Sequence, residues 1–201
     1  LSRLDSKNWN ATPRDLEDRL AEGLHQLAGS LDALIVLDQV DVPETGVVTR
    51  RLLDALGEVA TEQPGLLVMA DSRRGLRGFP PVCFKMNRAE LVAMTGAPAD
   101  ASLAEIKHRA AALAAHNGRR VFVTLAEEGI VGAAPDGVVE HVPALPVRGE
   151  IDIVGAGDAV TANLTAALAA RATLRETLEL AMAAASIVVH QLGTTGTASI
   201  P

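Results

Sequence analysis

Tyrosine is missing from this 201-residue chain, cysteine and tryptophan each occur once, and phenylalanine occurs three times. A single thiol, Cys83, makes no internal disulfide, which excludes the stapled scaffold of small secreted domains and leaves core packing as its expected role. Aromatics at 2% and a formal charge of −7 provide neither stacking platforms nor a basic footprint, so no nucleic-acid partner is expected. No uninterrupted apolar run approaches the roughly 20 residues that span a bilayer, because Asn163, Arg171 and Glu179 interrupt the alanine-rich C-terminal stretches. The expectation is a soluble, cytoplasmic protein with no membrane partner. His25, His108, His116, His141 and His190 show no paired metal-ligand spacing. Two phosphate-binding signatures are also absent: there is no Gly-Lys-Ser/Thr for a P-loop, and Val160 stands where a dinucleotide fingerprint needs its third glycine.

What is present reads as one globular domain over 1–201. At 48% hydrophobic and 21% charged, the chain can bury a substantial core. Pro13 opens a helix to about 26, 33–37 reads as a buried strand, 45–60 as a helix and 66–71 as a second strand. A short strand at 82–84 runs into a helix from Asn87. Ser102-x-x-Glu105 and Thr173-x-x-Glu176 have the spacing of capping boxes for helices reaching about 116 and 190. Asp136-Gly137 turns a hairpin between 130–134 and 138–142. The fold class is α/β, with a mostly parallel sheet flanked by helices and an antiparallel edge hairpin.

The segment Glu150-Ile151-Asp152-Ile153-Val154-Gly155-Ala156-Gly157-Asp158-Ala159 carries the most chemistry. A strand-like apolar stretch ends in two glycines, an aspartate follows, and an alanine-rich helix begins. Unpartnered N–H groups at a helix start, with the positive end of the macrodipole, let Gly155, Ala156, Gly157 and Asp158 aim donors at a phosphate. Asp158 in that turn can take a proton from an attacking hydroxyl while the amides hold the transferring group. The plainer alternative is a tight turn with Asp158 merely favouring the helix start.

Asp-Ile-Val-Gly-Ala-Gly-Asp-Ala resembles the Asp-Thr-x-Gly-Ala-Gly-Asp motif of the ribokinase-like (PfkB-type) carbohydrate kinases, which move the ATP γ-phosphate onto a sugar hydroxyl. Two further elements stand upstream in that family's order. Asn87-Arg88-Ala89-Glu90 resembles Asn-x-x-Glu, which implies that Glu90 organises Mg²⁺ through water; it is equally a helix-start box with Asn87 as cap. The strand ending Thr124-Leu125-Ala126-Glu127-Glu128-Gly129 resembles Thr-x-Gly-x-x-Gly, with Ala126 in place of a glycine, so that an added methyl group restricts the loop. The resemblance implies an ATP site made by Asn87, Thr124, Ala126, Glu127, Gly129, Gly157 and Met182. With aromatics this scarce, aliphatic groups and backbone are left to hold adenine. The resemblance also implies a monovalent cation such as K⁺, held by Asp152, the carbonyls of Val154, Val188, Gln191 and Gly193, and the hydroxyl of Thr197.

The similarity covers the C-terminal two-thirds of a typical family member. It implies that the sugar-binding acidic residue, a Gly-Gly element and the β lid lie outside this sequence, along with the usual surface of a homodimer. Asp38, Asp71, Arg73 and Arg74 follow predicted strands; they are solvated loop charges in the plainer reading and acceptor contacts in the other. The implied substrates are ATP and a small sugar. Two alternatives are a non-catalytic nucleotide-binding or regulatory module and a nucleoside or vitamin kinase of the same superfamily. The ending Leu192-Gly193-Thr194-Thr195-Gly196-Thr197 is similar to that of bacterial heptose-phosphate kinases.

Overall fold

Short β-branched runs bounded by glycine and polar turns become the strands of one sheet in the computed structural model, which describes residues 8–193. Helix α1 (Arg14–Ala28) precedes β1 (Ala33–Asp38), α2 (Arg50–Glu62) and β2 (Leu67–Ser72). Then come β3 (Cys83–Asn87), α3 (Arg88–Thr95), α4 (Leu103–Asn117) and β4 (Val121–Thr124). A hairpin of β5 (Ile130–Ala133) and β6 (Val139–Val142) leads to α5 (Ala156–Ala169) and α6 (Leu174–Val189). The strands lie side by side in chain order. The first four run parallel, and β5 and β6 run antiparallel at one edge, as the sequence predicts.

The central strands show why the sheet needs helices on both sides. In β4, Val121, Phe122 and Val123 are all fully buried, which is the pattern of a strand covered on both faces. Period-two alternation sends Val121 and Val123 into a core with Leu56, Leu91, Ile106 and Ala110, whereas Phe122 joins Met69, Leu164, Leu178 and Met182 on the other face. Cys83 belongs to that second cluster, the packing role expected of it. Gly132 in β5 lets α6 settle closely, because a Cβ there would lie 3.0 Å from both Leu174 and Leu178.

Three local expectations are corrected. The strand at 33–37, expected to be buried, is the sheet's edge strand, with Ile35 and Leu37 each 37% exposed. The helix expected over 45–60 begins only at Arg50, since Thr49 caps it by accepting the Leu52 amide. Thr45 instead donates to the Val42 carbonyl at 2.8 Å, and Glu44 takes a left-handed φ of 62°, so the preceding residues form a turn. Thr173 and Glu176 make both arms of a capping box, but Ser102 makes only one. Glu105 bonds Arg109 one turn later, at 2.6 Å, which draws its carboxylate away from the reciprocal bond.

Parallel strands that are paired in register all end on the same rim. Asp38 is level with Ser72, and Asn87 with Thr124. Helix α5 packs over β1 and β2 and begins at this rim.

Candidate active site

At the rim lies a cleft of about 690 Å³. Its walls include Asn87, Thr124, Ala126, Glu127, Gly129, Gly157 and Met182, the seven positions that the resemblance assigns to a nucleotide. Each reaches the cleft for a local reason. Asn87 is the last residue of β3 and the cap of α3, accepting the Glu90 amide at 2.9 Å. Thr124 ends β4. Ala126 opens a single 3₁₀ turn over Ala126–Glu128, and Gly129 closes it with φ 93°. Met182 faces in from the middle of α6.

The start of α5 is a turn with donors to spare. Gly155 is its N-cap with φ 84°, a conformation that glycine accepts without steric cost. The Ala156 amide already donates to the Ile153 carbonyl at 3.2 Å, so it is not available to a ligand as the sequence alone suggests. The amides of Gly157 and Asp158 have no backbone acceptor among the described residues. Asp158 lies exposed in the first turn, with no side-chain bond among the described residues.

Glu90 makes the helix-start box of its motif. Its Oε2 accepts the Asn87 amide at 2.7 Å and completes the capping box, while Oε1 has no hydrogen bond among the described residues. Burial pushes the Glu90 carboxyl above the usual carboxylate range, with a smaller contribution from the neighbouring Asp71; the Asn87 bonds and Lys85 oppose the rise.

The residues assigned to a monovalent cation are brought together in part. The Asp152 amide donates to the Val189 carbonyl at 2.8 Å, which holds the loop before α5 against the end of α6. Asp152 Oδ1 accepts the Val154 amide at 3.0 Å, and the Val188 carbonyl accepts the Gln191 amide at 3.0 Å, so both groups are already engaged. Gly193 takes φ 73°, and Thr197 lies outside the described residues.

Asp38, Asp71 and Arg74 are not the solvated loop charges of the plainer reading. Asp38 is 2% exposed, and its Oδ2 accepts from Ser72 at 2.8 Å and from Arg74 at 2.7 Å. Asp71 accepts from Lys85 at 2.8 Å. Residue 38 points to the α2 side, and residue 71 to the α5 side, by strand alternation. Arg73 remains exposed.

Sequence reasoning missed most of the cleft's apolar wall, which comes from Leu145, Val147, Ile151, Ile153 and Val189. The available signal is a run of aliphatic residues between the hairpin and the glycine turn; the strand expected before Gly155 does not form there, and Ile153 stays 73% exposed. His190, also in the wall, accepts the Arg148 amide at Nε2 (3.1 Å) and meets the Ser186 carbonyl at Nδ1 (2.6 Å). That pair of partners requires the neutral tautomer with its proton on Nδ1. A shallower groove of about 550 Å³ lies along α2 and shares no residue with the motifs.

Ala126 has a measurable consequence. At φ 51° it occupies the left-handed region with a methyl group, which costs about 1–2 kcal/mol, against roughly 0.4–1 kcal/mol of unfolded-chain entropy that alanine spares relative to glycine. Ala126→Gly is therefore expected to raise the thermal midpoint by a few degrees. Calorimetric melting checks this, and a lower midpoint contradicts the strain.

A sheet of this order with a glycine turn at its rim defines a ribokinase-like α/β fold. Escherichia coli phosphofructokinase-2, solved in complex with potassium, superposes with a TM-score of 0.74 at 23% identity, over 93% of this chain and 60% of that one. Arabidopsis thaliana ribokinase, complexed with ribose and ATP, gives 0.67 at 20% identity, over 92% and 55%. Residues 80–201 match the pfkB family of carbohydrate kinases, and the chain belongs to that family. Among curated proteins, the bifunctional protein HldE of Rhodopseudomonas palustris is 32% identical over 200 residues, covering 96% of this chain and 38% of that protein. The protein of the same name from Paramagnetospirillum magneticum is 39% identical over 108 residues, covering 54% and 22%. The chain thus spans well under half the length of these relatives.

Proposed function

We propose that the protein transfers the γ-phosphate of ATP to a hydroxyl of a sugar or sugar derivative. What carries the reading is that the seven positions assigned to a nucleotide, six drawn from three separate motifs and Met182 from α6, line one cleft that ends at a helix start with open amides. The aliphatic wall suits adenine, which needs apolar contact and no aromatic partner. Phosphates fit the α5 turn, where the Gly157 and Asp158 amides and the helix dipole favour negative charge. Asp158, exposed beside those amides, takes the proton of the acceptor hydroxyl as its oxygen attacks phosphorus, and ADP leaves. A loose phosphoryl-transfer transition state asks mainly for positioning and charge stabilisation, which this turn provides.

Glu90 fits Mg²⁺ because its free oxygen can hold a metal-bound water while the other oxygen caps α3. When bound, the ion supplies charge neutralisation on the ATP oxygens. Asp152, with Oδ2 unbonded among the described residues, is the group that would attract K⁺.

Calorimetric titration with ATP and Mg²⁺, followed by a transfer screen across sugars that begins with heptose phosphates, tests the reading. Binding without transfer to any acceptor would establish the non-catalytic module instead. A pH profile supplies a second check. Glu90 must be ionised to serve Mg²⁺, and burial raises its carboxyl, so kcat/KM for ATP is expected to fall on the acid side at a pH above the ordinary glutamate range. Glu90→Gln keeps the cap and is expected to abolish this acid limb; a limb that persists in the variant belongs to another group.

A further inference from the structure

Beneath the first turn of α5 lies a charge that none of the motifs includes. Lys85, in the middle of β3, is only 7% exposed, and its ammonium donates to Asp71 Oδ2 at 2.8 Å. The Thr161 hydroxyl, on α5, lies 3.2 Å from the same oxygen and 3.0 Å from the Gly157 carbonyl. The pair is therefore tied directly to the turn that offers the open amides. Buried ion pairs seldom stabilise a fold better than apolar side chains of similar volume, so this one calls for another use.

Gly157 points to that use. Its φ is not positive, unlike that of Gly155, so the backbone does not require glycine there, and alanine is the better helix former. A Cβ at 157 would have a single heavy-atom neighbour within 4 Å outside its own turn, Lys85 Nζ at 3.5 Å. Cα–Cβ bonds in a helix tilt toward its N-terminus, which is the side where an anion on the Gly157 and Asp158 amides must sit. The missing methyl thus leaves a gap between the buried ammonium and the anion's position.

We propose that Lys85 is a charge-stabilising residue of the phosphoryl site, acting on the terminal phosphate of ATP through the gap left by Gly157 and held there by Asp71. The assignment rests on reading the α5 turn as the seat of that phosphate. It deepens the proposed function by giving the site a fixed cation of its own, carried by the protein independently of Mg²⁺.

The test compares ATP with ADP by equilibrium titration of the purified protein. Lys85→Met is expected to weaken ATP binding about tenfold and to leave ADP within about twofold, because a charge-assisted contact to the terminal phosphate is lost. Since that variant leaves Asp71 without its partner, Asp71→Asn combined with Lys85→Met is measured too. It is expected to melt close to the wild-type midpoint and to show the same loss of preference for ATP. Gly157→Ala is expected to reduce the preference as well, and to add nothing in a protein already lacking the ammonium, since both changes act on one contact. An ATP-to-ADP preference unchanged in the folded double variant, or fully additive losses with Gly157→Ala, overturns the assignment. If the wild-type protein binds neither nucleotide, the reading of the α5 turn falls and takes Lys85 with it. If it binds ATP without transferring phosphate, only the kinase reading falls, and the preference still decides the role of Lys85.

Discussion

Asp158→Asn is expected to lower turnover by about 10³-fold, within the range that general-base catalysis supplies, while ATP affinity stays within about threefold of the original. Asparagine has the shape of aspartate and keeps the first-turn position, so the Gly157 and Asp158 amides stay where they are. The proton acceptor alone is lost. Removing a negative charge beside the phosphate seat also relieves repulsion, so any change in ATP binding should be toward tighter binding. Fold stability should fall only slightly, because an exposed acidic residue at a helix start contributes about 0.3–1 kcal/mol through the dipole. Steady-state kinetics with a titration of nucleotide affinity separate these effects. Turnover near the original value would remove Asp158 from the reaction.

The largest stability effect is expected at Gly129. A Cβ there would come 2.1 Å from the Val142 carbonyl oxygen and 2.6 Å from the Ala144 nitrogen, both backbone atoms that no rotamer change can move. Its φ of 93° with ψ of −132° is in addition a conformation reserved almost entirely for glycine. Gly129→Ala is expected to cost more than about 4 kcal/mol, among the larger penalties for a single substitution. Its thermal midpoint should fall by at least about 8 °C for a domain of this size. The displaced segment leads into Ala144 and Leu145, which line the cleft, so nucleotide binding should fail along with the fold. Gly137→Ala is the control. It has φ 90° but open space around its Cβ position, and it carries backbone strain without the collision. Equal losses in the two variants would show that the close approach at residue 129 matters little.

The parts of this molecule that depend on local chemistry were legible in the sequence. Asp136-Gly137 announced the hairpin, Thr173 and Glu176 the start of α6, and the run at 121–124 a strand ending at Thr124. The α5 turn was legible because two glycines and an acid ahead of an alanine-rich helix leave few geometries open. Tertiary competition was not legible. Nothing local tells that Arg109 takes the Glu105 carboxylate from Ser102, or that the Ile153 carbonyl accepts the Ala156 amide and so removes one donor from the turn. The Asn87 motif was ambiguous by sequence because Glu90 has two oxygens: capping consumes one and leaves the other for the proposed Mg²⁺ water. Lys85 escaped notice because a lysine inside a strand has no pattern of its own. Its meaning comes from Asp71 on one neighbouring strand and Thr161 on a helix 76 positions further along the chain.

Because all four parallel strands finish on the cleft rim, they all start on the opposite one, a full strand length away. Gly65, just ahead of β2, meets nothing within 4 Å at its Cβ position and has no left-handed backbone requirement. An engineered cysteine at that position offers an attachment point for a fluorophore or a surface tether, well clear of the cleft. Immobilised in this orientation, the molecule would present its cleft outward.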